Sequence, residues 1–298
     1  MEKTSKTKCV ACPRKCGADR HNGVGFCGVG EKFRIARVGL HKWEEPCISY
    51  GKGSGTVFFS GCSLKCVFCQ NYEISNELKG KDIDASRLLY ELQRLCDMGA
   101  VNINLVNPTH YAHLLCNILE KFKSNCNIPI VYNTGGYDSV ETLRNLNGLI
   151  DIYLPDIKYF SDEYAFRYSR CHNYFETALE ALHEMHLQVG YAKLDKDGHM
   201  TRGVIVRHLV LPGLYRDSIE ILNRLSKEFD VSKLTLSLMS QYFPAYKACE
   251  YSEINRKTTT LEYSKVVDFA KQKGFTRGYV QEKSSANEKY VPEFDYSI

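Results

Sequence analysis

The stretch Gly53-Ser54-Gly55-Thr56-Val57-Phe58-Phe59-Ser60-Gly61-Cys62-Ser63-Leu64-Lys65-Cys66-Val67-Phe68-Cys69-Gln70-Asn71 runs from an apolar segment into three cysteines spaced four and three residues apart. The short apolar run, Thr56 to Ser60, reads as a buried strand. One loop can then set the thiolates of Cys62, Cys66 and Cys69 on a single iron–sulfur cube. A closed electron-transfer cluster takes four cysteines, so three leave one iron open. An open iron accepts nitrogen and oxygen donors from a further ligand. Zinc fits this loop less well, because structural zinc takes four ligands and the next histidine downstream is His110.

Downstream, short apolar runs alternate with helical patterns, the mark of repeated β/α units on a parallel sheet. Strands are expected at Thr56 to Ser60, Val101 to Val106, Ile128 to Tyr132, Ile150 to Leu154, Val204 to Leu211 and Leu234 to Met239, with a weaker one at Gly278 to Gln281. Leu88, Leu89, Leu92 and Leu95 form one face of a helix over Asp84 to Met98, with Asp84 or Ser86 as its cap and Gly99 as its stop. Further helices are expected over His110 to Phe122, Ser139 to Leu146, Tyr174 to His186, Ser218 to Phe229 and Thr260 to Lys273. Asp197-Gly198 is a hairpin signal between Val189 to Leu194 and Met200 to Arg207. The expected fold class is therefore α/β, and five or six units fall short of the eight of a closed barrel. The expectation is an open partial (β/α)6 barrel over residues 51–298, preceded by a small cysteine-rich metal-binding segment over residues 1–50.

Composition narrows the class. The chain has 298 residues, 44% of them hydrophobic, enough for one large core. A net charge of +4, from 39 basic and 35 acidic residues, includes no long basic run, so nothing asks for a nucleic-acid partner. Residues 1–8 are polar, and no eighteen apolar residues run together. A cytoplasmic protein with no membrane partner is expected. Seven of the thirteen cysteines fall into two tight groups, which points to metal ligation rather than disulfides. The other six, Cys47, Cys96, Cys116, Cys126, Cys171 and Cys249, read as small buried hydrophobes.

A Cys-x3-Cys-x2-Cys loop after the first strand of a β/α series, with aromatic Phe68 before the last cysteine, resembles the radical S-adenosylmethionine superfamily. The longer text from Gly53 to Ser75 is similar to the pyruvate formate-lyase activating enzyme-like group, a resemblance that runs from Cys9 to about Gly213. It implies a [4Fe-4S] cluster on Cys62, Cys66 and Cys69. Such a cluster cleaves S-adenosylmethionine reductively to a 5′-deoxyadenosyl radical, which takes a hydrogen atom from a substrate. A flavodoxin or ferredoxin is the implied electron donor.

Sites on parallel β/α folds lie at the C-terminal strand ends. The candidate S-adenosylmethionine contacts are accordingly Asn107 and Thr109 after the second strand, and Asn133, Thr134 and Gly135 after the third. Asp156 and Lys158 follow the fourth, Arg207 lies on the fifth, and Phe68 is in the loop. The superfamily's Gly-Gly-Glu is absent, and Asn104, Asn107 and Thr109 stand as its replacements. Arg207, a charge inside an apolar strand, needs a partner, and a cofactor carboxylate is one.

Cys9, Cys12, Cys16 and Cys27 place four thiolates within nineteen residues of a glycine-rich segment that lacks apolar periodicity. They form a complete ligand set for one zinc ion or for one auxiliary iron–sulfur cluster. Three functions follow. The first is an activating enzyme that abstracts hydrogen from a glycine of a glycyl-radical enzyme. The second is a radical maturase of a peptide or small metabolite, and the third is an iron–sulfur electron-transfer protein without chemistry of its own.

Overall fold

The computed structural model describes residues 8–281, 294 and 296. Regular structure begins with β1 (Phe33–His41), which returns through residues 42–53 to β2 (Ser54–Phe59), its antiparallel neighbour. The cysteine loop leads to α1 (Tyr72–Ser75) and to β3 (Lys81–Ile83), which pairs with the far side of β1. The chain then alternates through α2 (Ala85–Asp97), β4 (Ile103–Val106), α3 (Ala112–Lys123), β5 (Ile130–Thr134), α4 (Val140–Asn145) and β6 (Ile152–Pro155). It continues with α5 (Asp162–Ser169), α6 (Tyr174–Val189), β7 (Lys193–Leu194), β8 (Met200–Leu209), α7 (Tyr215–Glu228), β9 (Thr235–Met239), α8 (Thr260–Gln272) and β10 (Arg277–Val280).

One sheet runs in the order β10-β9-β8-β6-β5-β4-β2-β1-β3, with β7 paired to β8 alone. From β2 to β10 its members are parallel, and the path does not close. The open barrel read from the apolar spacing is thus the observed fold, with β10 as a seventh parallel strand. Every residue of β2 is buried, as befits a parallel strand covered on both faces. The Asp84 carboxylate accepts from the Arg87 N–H at 2.8 Å, and Gly99 at φ +84° ends the turn after α2. The short β7–β8 pair is the hairpin that Asp197-Gly198 signals.

Two features depart from the sequence reading. Residues 33–41 join the main sheet, so the expected boundary at residue 50 falls between two strands of one sheet. A register shift between Ile35 and Arg37 breaks the alternation that would have marked β1 in the sequence. In addition, Cys96, in the last turn of α2, forms a disulfide with Cys126, just beyond α3. The pair sits 30 residues apart in sequence, and only the packing of α2 on α3 makes it visible.

The connection over residues 42–53 has a second role. Cys47 and Ile48 pack against Val131, Ile152, Leu154, Met200 and Ile205 as a separate apolar cluster. His41 pairs with Ser54 at the start of β2, so this cluster plugs the N-terminal end of the barrel. Among the described residues, no helix is long and apolar enough to cross a membrane.

Candidate active site

A cavity of about 440 Å³ opens at the C-terminal strand ends and reaches down into the barrel. Cys62, Cys66 and Cys69 line it together with Phe68, Asn107, Asn133, Thr134, Gly135, Asp156, Lys158 and Arg207. Residues from the cysteine loop and from the ends of four strands therefore meet in one space, as the strand-end rule requires. Thr109 is the exception. It is buried behind the wall, where its hydroxyl donates to Asn107 Oδ1 at 2.8 Å and bonds Thr134 Oγ1 at 2.9 Å, so it positions two residues of the lining.

Each thiol of the loop accepts a hydrogen bond. Ser169 Oγ donates to Cys66 Sγ at 3.0 Å, Ser75 Oγ to Cys69 Sγ at 3.2 Å, and the Leu64 N–H to Cys62 Sγ at 3.3 Å. Neutral thiols are weak acceptors, whereas metal-bound thiolates take such bonds well. Burial pushes the Cys69 thiol up to about 12, and the neighbouring Cys66 adds to it. Burial also raises Cys62, and Cys66 adds there as well. One buried and two half-buried thiols of a single loop, each with a hydrogen-bond donor, have a chemistry that fits a positively charged metal centre. Gly135 supplies room beside them, since a Cβ there would meet Leu64 Cδ1 at 2.8 Å.

The opposite wall is a charged network. Against the cost of burial, Arg207 and Lys158 hold Asp156 below the usual carboxylate range. Arg207 Nε reaches Asp156 Oδ1 at 2.9 Å and Lys158 Nζ reaches its Oδ2 at 2.6 Å. Arg207 Nη2 donates to Asn133 Oδ1 at 2.6 Å, and Nη1 lies 3.4 Å from Glu44 Oε2. The partner that Arg207 requires is thus supplied by the protein itself, and its guanidinium is already engaged at all three nitrogens. Sequence reasoning missed Glu44, which the residue 42–53 connection carries into the cavity wall. The only available signal was an acidic pair, Glu44-Glu45, ahead of Pro46-Cys47-Ile48.

The N-terminal cysteines also converge. Cys9, Cys12, Cys16 and Cys27 line one small cavity with Arg20, Phe26, Ser63 and His110. A Cβ on Gly25 would stand 3.3 Å from Cys27 Sγ and 3.4 Å from Cys16 Sγ, so glycine keeps the sulfurs' side of this cavity clear. Burial pushes the Cys12 thiol up to about 12. The two cysteine groups touch: the Cys62 N–H donates to the Cys27 carbonyl at 3.3 Å. Arg14 ties the segment down through the carbonyls of Ser63 and Ser169, each at 2.7 Å.

An open parallel barrel carrying a three-cysteine loop at the C-terminal end of its first parallel strand defines a class, and residues 56–225 match the family model described as the radical SAM superfamily. The chain belongs to that superfamily, whose enzymes cleave S-adenosylmethionine at an iron–sulfur cluster. An uncharacterised protein of Methanocaldococcus jannaschii is 33% identical over 271 residues, covering 89% of this chain and 74% of that one. A pyruvate formate-lyase-activating enzyme of Clostridium pasteurianum is 30% identical over 133 residues, 42% of this chain and 54% of its own. Among solved structures, a spore photoproduct lyase variant with bound AdoMet and dinucleoside spore photoproduct superposes with a TM-score of 0.54 at 13% identity, covering 82% of this chain and 79% of that one. SuiB of Streptococcus suis, bound to S-adenosylmethionine, gives 0.51 at 14% identity, with 74% of this chain covering 48% of SuiB. At such identities these two structures speak for the fold alone.

Proposed function

We propose that Cys62, Cys66 and Cys69 hold the [4Fe-4S] cluster, and that the chain is a radical enzyme of the activating type, acting on a glycine of a glycyl-radical partner. One observation carries the cluster assignment: three hydrogen-bonded thiols of one loop face a cavity whose far wall is a polar, charged network. With S-adenosylmethionine bound, the cluster supplies a 5′-deoxyadenosyl radical able to abstract hydrogen. This chain's own residues then have three tasks. Asn107, Asn133, Thr134, Gly135 and the Asp156–Lys158 pair bind and orient the polar parts of S-adenosylmethionine. Phe68 packs edge-on to Tyr159, Tyr168 and Tyr242 and keeps water from the loop's inner face. The N-terminal segment over residues 1–50 holds a second metal on Cys9, Cys12, Cys16 and Cys27, and reduced flavodoxin or ferredoxin supplies the electron. The similarity to the Clostridium pasteurianum enzyme supports the glycine target.

Anaerobic reconstitution tests this reading. Roughly four irons with one zinc per chain assign the quartet to zinc, and roughly eight irons assign it an auxiliary cluster. Cys62→Ala is expected to lose about four irons, and S-adenosylmethionine is expected to change the paramagnetic resonance spectrum of the reduced native protein. A spectrum indifferent to S-adenosylmethionine favours the electron-transfer reading. Deoxyadenosine formation that responds to metabolites and to no glycyl-radical protein favours the maturase.

A further inference from the structure

The wall opposite the cysteine loop carries more acceptors than its own donors satisfy. Glu44 and Asp156 line the cavity with Lys42, Lys158 and Arg207; Lys158 and Arg207 both pair closely with Asp156, and Arg207 reaches Glu44 only at 3.4 Å. Glu44 Oε1 accepts from Asn104 Nδ2 at 2.8 Å and from Asn133 Nδ2 at 3.4 Å. Its Oε2 has only the distant Arg207 Nη1, at 3.4 Å. Beside it and elsewhere along the cavity, polar atoms are left over. Asn104 is fully buried and its amide touches Glu44, yet its Oδ1 meets no donor. Glu45 is 8% exposed, and its Oε2 meets none either. Gln281, which lines the cavity, leaves its Oε1 buried and unmatched. Buried acceptors without donors are costly, and of these residues Glu44 and Gln281 line the cavity, where a ligand that brings donors and positive charge meets them.

We propose that Glu44, backed by Asn104 and Glu45, is the binding site for a protonated amine of the substrate. The remaining lining fits the carbon chain of such a molecule: Phe58, Ile74, Leu209 and Met239 border the same cavity. About 440 Å³ is the size of a small-molecule or side-chain site. For an anionic substrate group, Arg207 and Lys158 are already engaged by acceptors of the wall, which leaves Lys42 of the lining. Glu44 is specific to the plug connection and not to the strand ends, so the fold places substrate selection on a different segment from the cysteine loop.

The inference rests on the radical reading in one respect, namely that a substrate shares this cavity with S-adenosylmethionine. The anaerobically reconstituted protein is titrated calorimetrically with 1,4-diaminobutane, with succinate and with S-adenosylmethionine, using the native chain, Glu44→Gln and Glu44→Asp. The native chain is expected to bind diaminobutane more tightly than succinate. Glu44→Gln is expected to weaken diaminobutane roughly tenfold or more, the loss of one charged hydrogen bond, while Glu44→Asp retains most of the affinity and S-adenosylmethionine binding stays unchanged in both. Three results overturn the proposal: no diaminobutane binding, tighter succinate binding, or an undiminished diamine affinity in Glu44→Gln. Glu44→Gln that loses S-adenosylmethionine and keeps diaminobutane assigns the carboxylate to the cofactor's own ammonium and also overturns it. If Glu44→Gln does not fold, the diamine-against-succinate preference of the native chain decides. Failure of the native chain to bind S-adenosylmethionine marks a failure of the radical reading, separately from the amine result.

Discussion

Arg207 shows how much of the site a single strand residue can organise. It sits on β8 between Val206 and His208, 13% exposed, and ties Asp156, Asn133 and Glu44 into one network. The sequence exposed it as a charge out of place, and Asp156 and Lys158 as a polar pair after a strand. Glu44 escaped notice because nothing local requires a glutamate there; its partners lie 60 residues or more away. Removing one partner of a buried ion pair leaves the others uncompensated, at a cost of about 3–5 kcal/mol. Arg207→Ala is therefore expected to lower the unfolding free energy by that order, measured by urea denaturation of the metal-free chain. A cost below about 1 kcal/mol would show the network to be solvated surface chemistry.

Among the elements, the residue 42–53 connection is decisive. It closes the N-terminal end of the barrel with Cys47 and Ile48 and delivers Glu44 to the cavity above them. Ile48 is fully buried, so Ile48→Ala is expected to cost about 2–5 kcal/mol. The same variant should weaken diaminobutane binding, because Glu44 rides on the displaced segment; unchanged binding with reduced stability would separate plug from site. The β-strand periodicities behind β2, β4, β5, β6, β8 and β9 were legible because each strand is a short apolar run between polar turns. By contrast, β1 carries Arg34 and Arg37 and a register shift, which erased its pattern. The Cys27–Cys62 hydrogen bond joins two motifs that the sequence could only present as separate.

At the scale of the molecule, buried histidines set the response to acid. His208 is 2% exposed, held by the Ile157 carbonyl and Ser218 Oγ, and burial lowers it to about 4. Burial likewise lowers His41 to about 4, with Arg37 adding to it. Their folded pKa values lie below the unfolded value of about 6.5, so between those limits the unfolded chain binds more protons. Stability is therefore full above about pH 6.5 and falls as the pH drops toward 4. Glu44 opposes this trend with a shift as large as that of one histidine, so the two histidines together outweigh it. Burial pushes it up to about 7, against the pull of Arg207, so the folded chain holds its proton between about 4.5 and 7. The expected outcome is a midpoint in urea that falls from pH 7 to pH 5, with a shallower slope in His208→Asn. A rising midpoint over that interval would mean that Glu44 dominates.

The sequence by itself determined the open β/α barrel, the three-cysteine loop and its superfamily, because both depend on spacing along the chain: apolar runs at strand intervals, and thiols within one loop. It also placed the strand-end candidates, since a parallel fold turns every such end toward one face. Only the tertiary structure decided that Thr109 stands behind the wall, that Arg207 is already partnered, and that the two cysteine groups meet. It alone brought Glu44 across the barrel, and it alone joined Cys96 to Cys126. Those are contacts between segments distant in sequence, and their energies come from burial and charge in three dimensions, which no local pattern of residues encodes.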